Sequence, residues 1–177
     1  MVHTKTTHIL LENFKKERSF EKMFQLLETD QNLLSELVAI IKNLEPYPYP
    51  EYASWILTHY VEKYPERIKP FQADLIDTLF LTDKQTVLRN VLNTLQALDI
   101  SNYREAELID LLIGFIQDNA NKVALQVYSI YYLTKFLIIY PEITNEIKSI
   151  IELDSQNKSA AYSAAIRKFN KIINKKK

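Results

Sequence analysis

Three histidines, His3, His8 and His59, are the imidazoles this chain could bring to catalysis or to a metal. His3 and His8 lie five residues apart, which misses the three- or four-residue spacing that puts two side chains on one helical face. They belong to an end of the chain expected to fray. His59 has Glu62 at i+3, but a zinc site needs at least three protein donors. A solvated or hydrogen-bonded imidazole is predicted, and no metal site. The carboxylate pairs Asp74/Asp77 and Glu142/Glu146 have helical spacing. General acid–base work needs a water-poor cleft that drives two such pKa values apart. These pairs fall on polar faces beside bases such as Lys148, so a solvated charged face is predicted. With one histidine placed inside the fold, no Ser/His/Asp arrangement emerges. The chain has no cysteine and a single glycine, Gly114. Thiolate chemistry, glycine-rich phosphate loops and nucleophile elbows are thereby excluded. The expectation is a protein without catalytic residues and without a cofactor.

What remains is aromatic and cationic. The 177 residues include 11 Tyr, 8 Phe and 1 Trp. Many of these sit in segments with helical periodicity, among them Tyr52, Trp55, Tyr60, Tyr128, Tyr131 and Phe136. Such rings either fill a helical core or line a recognition surface with their polar edges. Charge is balanced overall, 22 basic against 22 acidic residues, yet it is unevenly spread. Four segments at 31–45, 66–81, 102–118 and 141–154 hold 13 acidic and 5 basic residues. Four others, at 50–64, 82–99, 119–140 and 155–177, hold 4 acidic and 12 basic. Arg167, Lys171 and Lys175 recur every four residues and form one stripe, opposite Ala161, Ala165, Phe169 and Ile172. That stripe reads either as a soluble end-cap or as a patch for phosphate or an acidic partner. A nucleic-acid-binding domain is usually strongly basic, whereas the sequence pI here is about 6.8.

The elements that must position these groups are helical. Residues 102–117 place Leu108, Leu111, Leu112, Phe115 and Ile116 on one helical face. No alternating strand pattern occurs between turn residues. Asn102 with Glu105, and Thr82 with Gln85, have helix-start spacing, and Pro65-Glu66 and Pro141-Glu142 suit first-turn positions. The run Glu45-Pro46-Tyr47-Pro48-Tyr49-Pro50 predicts a stiff non-helical connector. No stretch resembles a secretory signal or a membrane span, since Gln126, Ser129, Thr134 and Lys135 interrupt the most apolar segment, 123–141. A cytoplasmic protein is expected.

The chain also repeats itself. YASWILTHYVEKYPE at 52–66 and YSIYYLTKFLIIYPE at 128–142 share six identities without a gap. They also exchange Trp55 for Tyr131 and Tyr60 for Phe136. The offset is 76, two units of 38, the length of a helix pair in a solenoid. Trp55 and Tyr131 should therefore share one kind of environment. Asp118-Asn119 leading into Val123-Ala124, and Asp83 leading into Val87, Arg89 and Leu95, resemble the turn and second helix of HEAT repeats. The phrasing at Ala53–Glu66 is similar to that of short bacterial HEAT-like proteins of Bacteroidetes type. The resemblance covers about 31–175. It implies an all-α fold, a right-handed α-α superhelix of about four HEAT-like helix pairs.

On that reading residues 1–30 cap the solenoid, and repeats follow at about 31–64, 66–99, 102–140 and 141–175, in one structural domain. The resemblance further implies a protein-binding scaffold whose inner helices line a concave groove. Positions placed there by helical phase and charge are Trp55, His59, Arg89, Asn93, Tyr131, Lys135, Arg167 and Lys171. Nucleic-acid or acidic-partner binding through the basic C-terminal helix is the alternative. Some HEAT-like proteins are alkylpurine glycosylases, with several Trp around a catalytic Asp. A single Trp, with Glu51, Glu62, Asp83 and Asp99 scattered along the inner segments, does not reproduce that arrangement.

Overall fold

The computed structural model describes residues 2–44, 46–153 and 159–174. Every regular element among them is helical. In chain order these are α1 (Val2–Glu17), α2 (Phe20–Thr29), α3 (Gln31–Asn43), α4 (Tyr49–Lys63), α5 (Pro65–Ile68) and α6 (Gln72–Leu81). There follow α7 (Gln85–Gln96), α8 (Glu105–Gln117), α9 (Val123–Ile139), α10 (Thr144–Leu153) and α11 (Ala160–Asn174). A tight 3₁₀ turn, Lys69–Phe71, joins α5 to α6. Pro70 lies within it, and a ring without an N–H breaks the helical ladder there. The expected single helix over 66–81 is thus bent.

The chain forms two compact units, Met1–Leu98 and Asp99–Lys177. In the first, α4 packs along α7 and α3 along α6, while α3 and α6 cover α4 and α7. This gives two layers, and α1 and α2 rest on α3 and α4. The second unit repeats the scheme: α9 packs on α11 and α8 on α10, with α8 covering α9. The layers that hold α4, α7, α9 and α11 are called inner here, and the others outer. Helix α9 is apolar nearly all round because neighbours press on it from several sides, whereas α7 and α11 each keep a polar face. Leu57 and Leu133, equivalent by the 76-residue offset, are both completely buried.

Local sequence accounts for several boundaries. Ser19 Oγ accepts from the Lys22 N–H at 3.4 Å to open α2, and Asp30 Oδ1 accepts from the Asn32 N–H at 2.9 Å to open α3. Asp118 Oδ1 accepts from the Ala120 N–H at 2.8 Å in the turn after α8. Pro65 heads α5 and Pro141 heads the 3₁₀ turn Pro141–Ile143, as their sequence context predicts.

Four expectations need correction. The N-terminal end does not fray but forms α1. Helix α8 begins at Glu105, with Arg104 in the left-handed region at φ 50°, so Asn102 is not its cap. Thr82 accepts from the Lys84 N–H at 3.0 Å and shapes the turn before α7 instead of closing a capping box. Tyr49 and Pro50 are helical, because a proline is tolerated in a first turn where N–H groups lack partners anyway. With one glycine in the chain, left-handed positions fall to Arg18 (φ 54°), Leu44 (φ 62°) and Arg104 (φ 50°). Each pays the steric cost of a β-carbon, roughly 1–2 kcal/mol.

Candidate functional site

The duplicated motif gives two copies of one side-chain arrangement, one per unit. Tyr60 and Phe136 occupy equivalent positions and both are fully buried. The phenol at position 60 requires a partner that a phenyl does not, and Arg67 Nη1 donates to Tyr60 Oη at 2.7 Å. Tyr64 and Tyr140 are equivalent too, and each hydroxyl donates to a glutamate of a neighbouring helix. Tyr64 bonds to Glu28, and Tyr140 to Glu105 Oε2 at 3.0 Å. Thr58 and Thr134 donate back to the carbonyls of Trp55 and Ile130, both at 2.7 Å, which lets buried hydroxyls lie in an apolar layer.

Trp55 and Tyr131 do share an environment. Both are half-buried, and each carries a cation over its ring. The Arg18 guanidinium lies 4.9 Å from the Trp55 centroid, and Lys168 Nζ lies 4.3 Å from that of Tyr131. The sources of the cations differ. Arg18 comes from the α1–α2 turn, whereas Lys168 comes from α11.

In the first unit this arrangement borders a pocket of about 280 Å3. Arg18, Tyr52 and Trp55 form one side, with Arg18 5.3 Å from the Tyr52 centroid as well. Thr86, Arg89 and Asn90 of α7 form the other, and Glu51 lies at its edge. Asn90 is buried and fixes the seam between α7 and α4, donating from Nδ2 to Ser54 Oγ at 3.1 Å. Its Oδ1 receives Arg89 Nε and Nη2 at 3.4 and 3.3 Å. His59 stands one turn beyond Trp55, against Phe20 at 4.3 Å between ring centroids. Phe14 and Phe20 meet Trp55 edge-on at 5.6 and 5.1 Å. The N-terminal pair therefore covers part of the Trp55 surface while adding Arg18 to the rest.

In the second unit Tyr131 and Lys135 are half-buried on α9, and Arg167 and Lys171 are exposed on α11. Lys158 and Lys175 to Lys177 lie outside the described residues. Trp55 and Arg89 are brought to one pocket with His59 close by, and Asn93 is half-buried further along α7. Sequence reasoning missed Arg18 and Asn90, and it read Tyr52 and Lys168 only as members of the aromatic and basic sets. Asn90 stands on the apolar phase of α7 next to Val91, three residues after Val87. A polar residue on that phase was the available signal.

On the outer side α8 and the segment after α9 border a second pocket of about 230 Å3, across which Tyr140 bonds to Glu105. Asp74 and Asp77 flank Lys42 at 2.6 and 3.6 Å in a partly solvated cluster, which holds the Lys42 ammonium above the usual lysine range through the Asp74 hydrogen bond. Glu142 and Glu146 are exposed. Among the described residues no group of His, Asp and Glu is placed to hold a metal, and no helix is long and apolar enough to cross a membrane.

Two helical layers built from duplicated pairs are the architecture of a known repeat class, and a family model for a HEAT repeat domain matches residues 7–177. The chain belongs to the HEAT-repeat family. No curated protein and no solved structure matches it. HEAT repeats serve generally as protein-interaction scaffolds and are typically not enzymes.

Within the second HEAT-repeat unit, burial pushes the Lys135 ammonium below the usual lysine value of 10.5, and Asp99 opposes the shift. The folded chain therefore releases this proton at lower pH than the unfolded chain. Between the lowered folded value and 10.5 the unfolded state binds more protons, so stability rises with pH across that window. Below it the full cost of burying the charge remains. Lys135→Met is expected to raise Tm at pH 7, with the gain shrinking as pH approaches 10.5. Thermal melts at pH 7 and pH 10 check this; a gain of equal size at both values would contradict it.

Proposed function

We propose that this HEAT-repeat protein is a non-catalytic scaffold that binds a protein partner through its inner-layer helices. One observation carries the reading: Trp55 and Tyr131 both remain half-buried beneath a cation instead of packing away. A stacked cation and ring at a partly open surface offers apolar area together with directed N–H donors, the combination enriched where interfaces concentrate their binding energy. In the first unit Arg89 and Asn93 extend the surface around Trp55 along α7, and in the second Lys135, Arg167 and Lys171 extend the one around Tyr131 along α9 and α11. His59 contributes at the edge beside Trp55.

Support for a protein partner over nucleic acid comes from charge. The inner helices bear few acids, but their positive charge concentrates in α11 and the residues around it. The α4 and α7 surface mixes Glu51 and Glu62 with Lys63 and Arg89. A phosphate-tracking groove would show a continuous basic lining. Nucleic-acid binding through α11 is the second reading, favoured by exposed Arg167, Lys168 and Lys171.

Site-directed photo-cross-linking tests the proposal. A benzophenone side chain at Asn93 or Tyr131 is expected to capture a protein from nuclease-treated extract. The same group at Lys69 or Asp110, exposed on the outer layer, is expected to capture none. Capture from the outer positions alone would overturn it.

A further inference from the structure

We propose that the pocket between α4 and α7 is a binding site for a carboxylate, presented by an acidic segment of a protein partner. The proposal rests on reading the inner layer as the recognition surface and names what this part of it recognises. Two guanidinium groups border the pocket, Arg18 and Arg89. Among the described residues neither has a carboxylate partner, although other cations of this chain do, as Lys42 with Asp74 and Arg104 with Glu107 show. The Arg18 guanidinium carbon lies over Tyr52 and Trp55, 5.3 and 4.9 Å from the two ring centroids. A cation–π contact takes up none of the five N–H donors of a guanidinium in a full hydrogen bond to a charged acceptor. Arg89 reaches a neutral oxygen, Asn90 Oδ1, at 3.3 Å or more, a long contact for so strong a donor.

The N–H fork of a guanidinium matches the two oxygens of a carboxylate. The charge tally matches as well. Two arginines and Glu51 leave one net positive charge at the pocket. The Glu51 carboxylate accepts from the Tyr47 hydroxyl and holds that phenol above its ordinary value, so it is turned to a partner of its own. A monoanion balances the remaining charge, whereas a phosphate dianion would overshoot it and face Glu51. The volume, about 280 Å3, corresponds to about nine water molecules at roughly 30 Å3 each. An acidic side chain with its stretch of backbone fits that space. Asn90, tied to Ser54, fixes the wall from which Arg89 projects.

Trp55 is the sole tryptophan of the chain, so its emission reports on this pocket directly. Titration of the full chain with a hexaglutamate peptide at low salt is expected to change Trp55 emission saturably. The apparent Kd should rise more than tenfold in Arg18→Met and in Arg89→Met, which keep the apolar stems. It should stay unchanged in Lys148→Met, whose side chain lies on the outer helix α10 of the other unit. Thr86→Glu is the second variant. It places a carboxylate in the pocket wall within the first turn of α7, where a negative charge favours the helix. It should abolish peptide binding with the fold intact by circular dichroism. No saturable change with hexaglutamate, or equal affinity in the arginine variants and in Thr86→Glu, would overturn the proposal. Tighter binding of inorganic phosphate than of the peptide would also overturn it, by assigning the pocket to phosphate. Cross-linking from Asn93 alongside a silent titration would remove this pocket and leave the scaffold reading standing.

Discussion

Phe136→Ala is expected to cost about 3–5 kcal/mol of stability, the range for removing a buried aromatic ring. Phe136 is completely buried in α9 and meets Tyr132 edge to face at 5.6 Å between centroids. Truncation would leave a cavity that the layers can close only in part, because interiors are packed like crystals and relax little. The loss would be a large fraction of the roughly 5–15 kcal/mol that holds a typical domain. Phe136→Leu, which keeps most of the volume, should cost less than half as much. Urea denaturation followed by circular dichroism checks both variants. A loss below about 1 kcal/mol for the alanine variant would mean that α9 is not packed as described.

Gln126→Leu should cost about 1–3 kcal/mol even though it makes a buried position more apolar. Gln126 is fully buried in α9, and its Nε2 donates to the carbonyls of Ile116 and Asp118, both at 3.1 Å. Those carbonyls end α8 and begin the turn that follows, where helix geometry leaves the Ile116 carbonyl without a backbone partner. The substitution strands the buried Ile116 carbonyl, while the Asp118 carbonyl keeps the Asn121 N–H at 3.1 Å, and a buried unsatisfied polar group costs about 1–3 kcal/mol. Shape is nearly conserved, so the loss isolates the hydrogen bonds. Equal or greater stability in Gln126→Leu would show that burial outweighs the bonds and that the α8–α9 turn is held by other means.

These two residues also mark how far the sequence could be read. The helix pairs were legible because burying an amphipathic helix imposes a 3.6-residue period, and Leu108, Leu112 and Ile116 display it openly. The duplication was legible because equivalent positions solve the same packing problem, as Leu57 and Leu133 or Tyr64 and Tyr140 do. Capping was read less well. Asn102 and Thr82 had the right residue types, but the chain turned before either helix began, and a turn competes for the same side-chain oxygen. Gln126 looked like an interruption of an apolar run, since its partners belong to a carbonyl end that only the folded turn brings near.

The candidate site divides along the same line. Trp55 and Arg89 could be placed by helical phase, a local property of α4 and α7. Arg18 could not, because its position depends on α1 and α2 folding back over α4 and on a left-handed residue where glycine would be usual. The cation on Tyr131 likewise comes from the next inner helix, 37 residues along the chain. Periodicity reports which face of a helix is covered. It does not report which charged side chain arrives from elsewhere to stand over a ring.

Comparing cross-link yields between the two layers tests the central claim most directly. Benzophenone variants at Asn93 and Tyr131, and at Lys69 and Asp110, would be exposed to the same nuclease-treated extract and their adducts compared. Inner-layer positions are expected to give one common protein adduct at several times the yield of the outer positions. Equal yields from both layers, or adducts that vanish with nuclease treatment, would contradict a protein-binding scaffold read through α4, α7, α9 and α11.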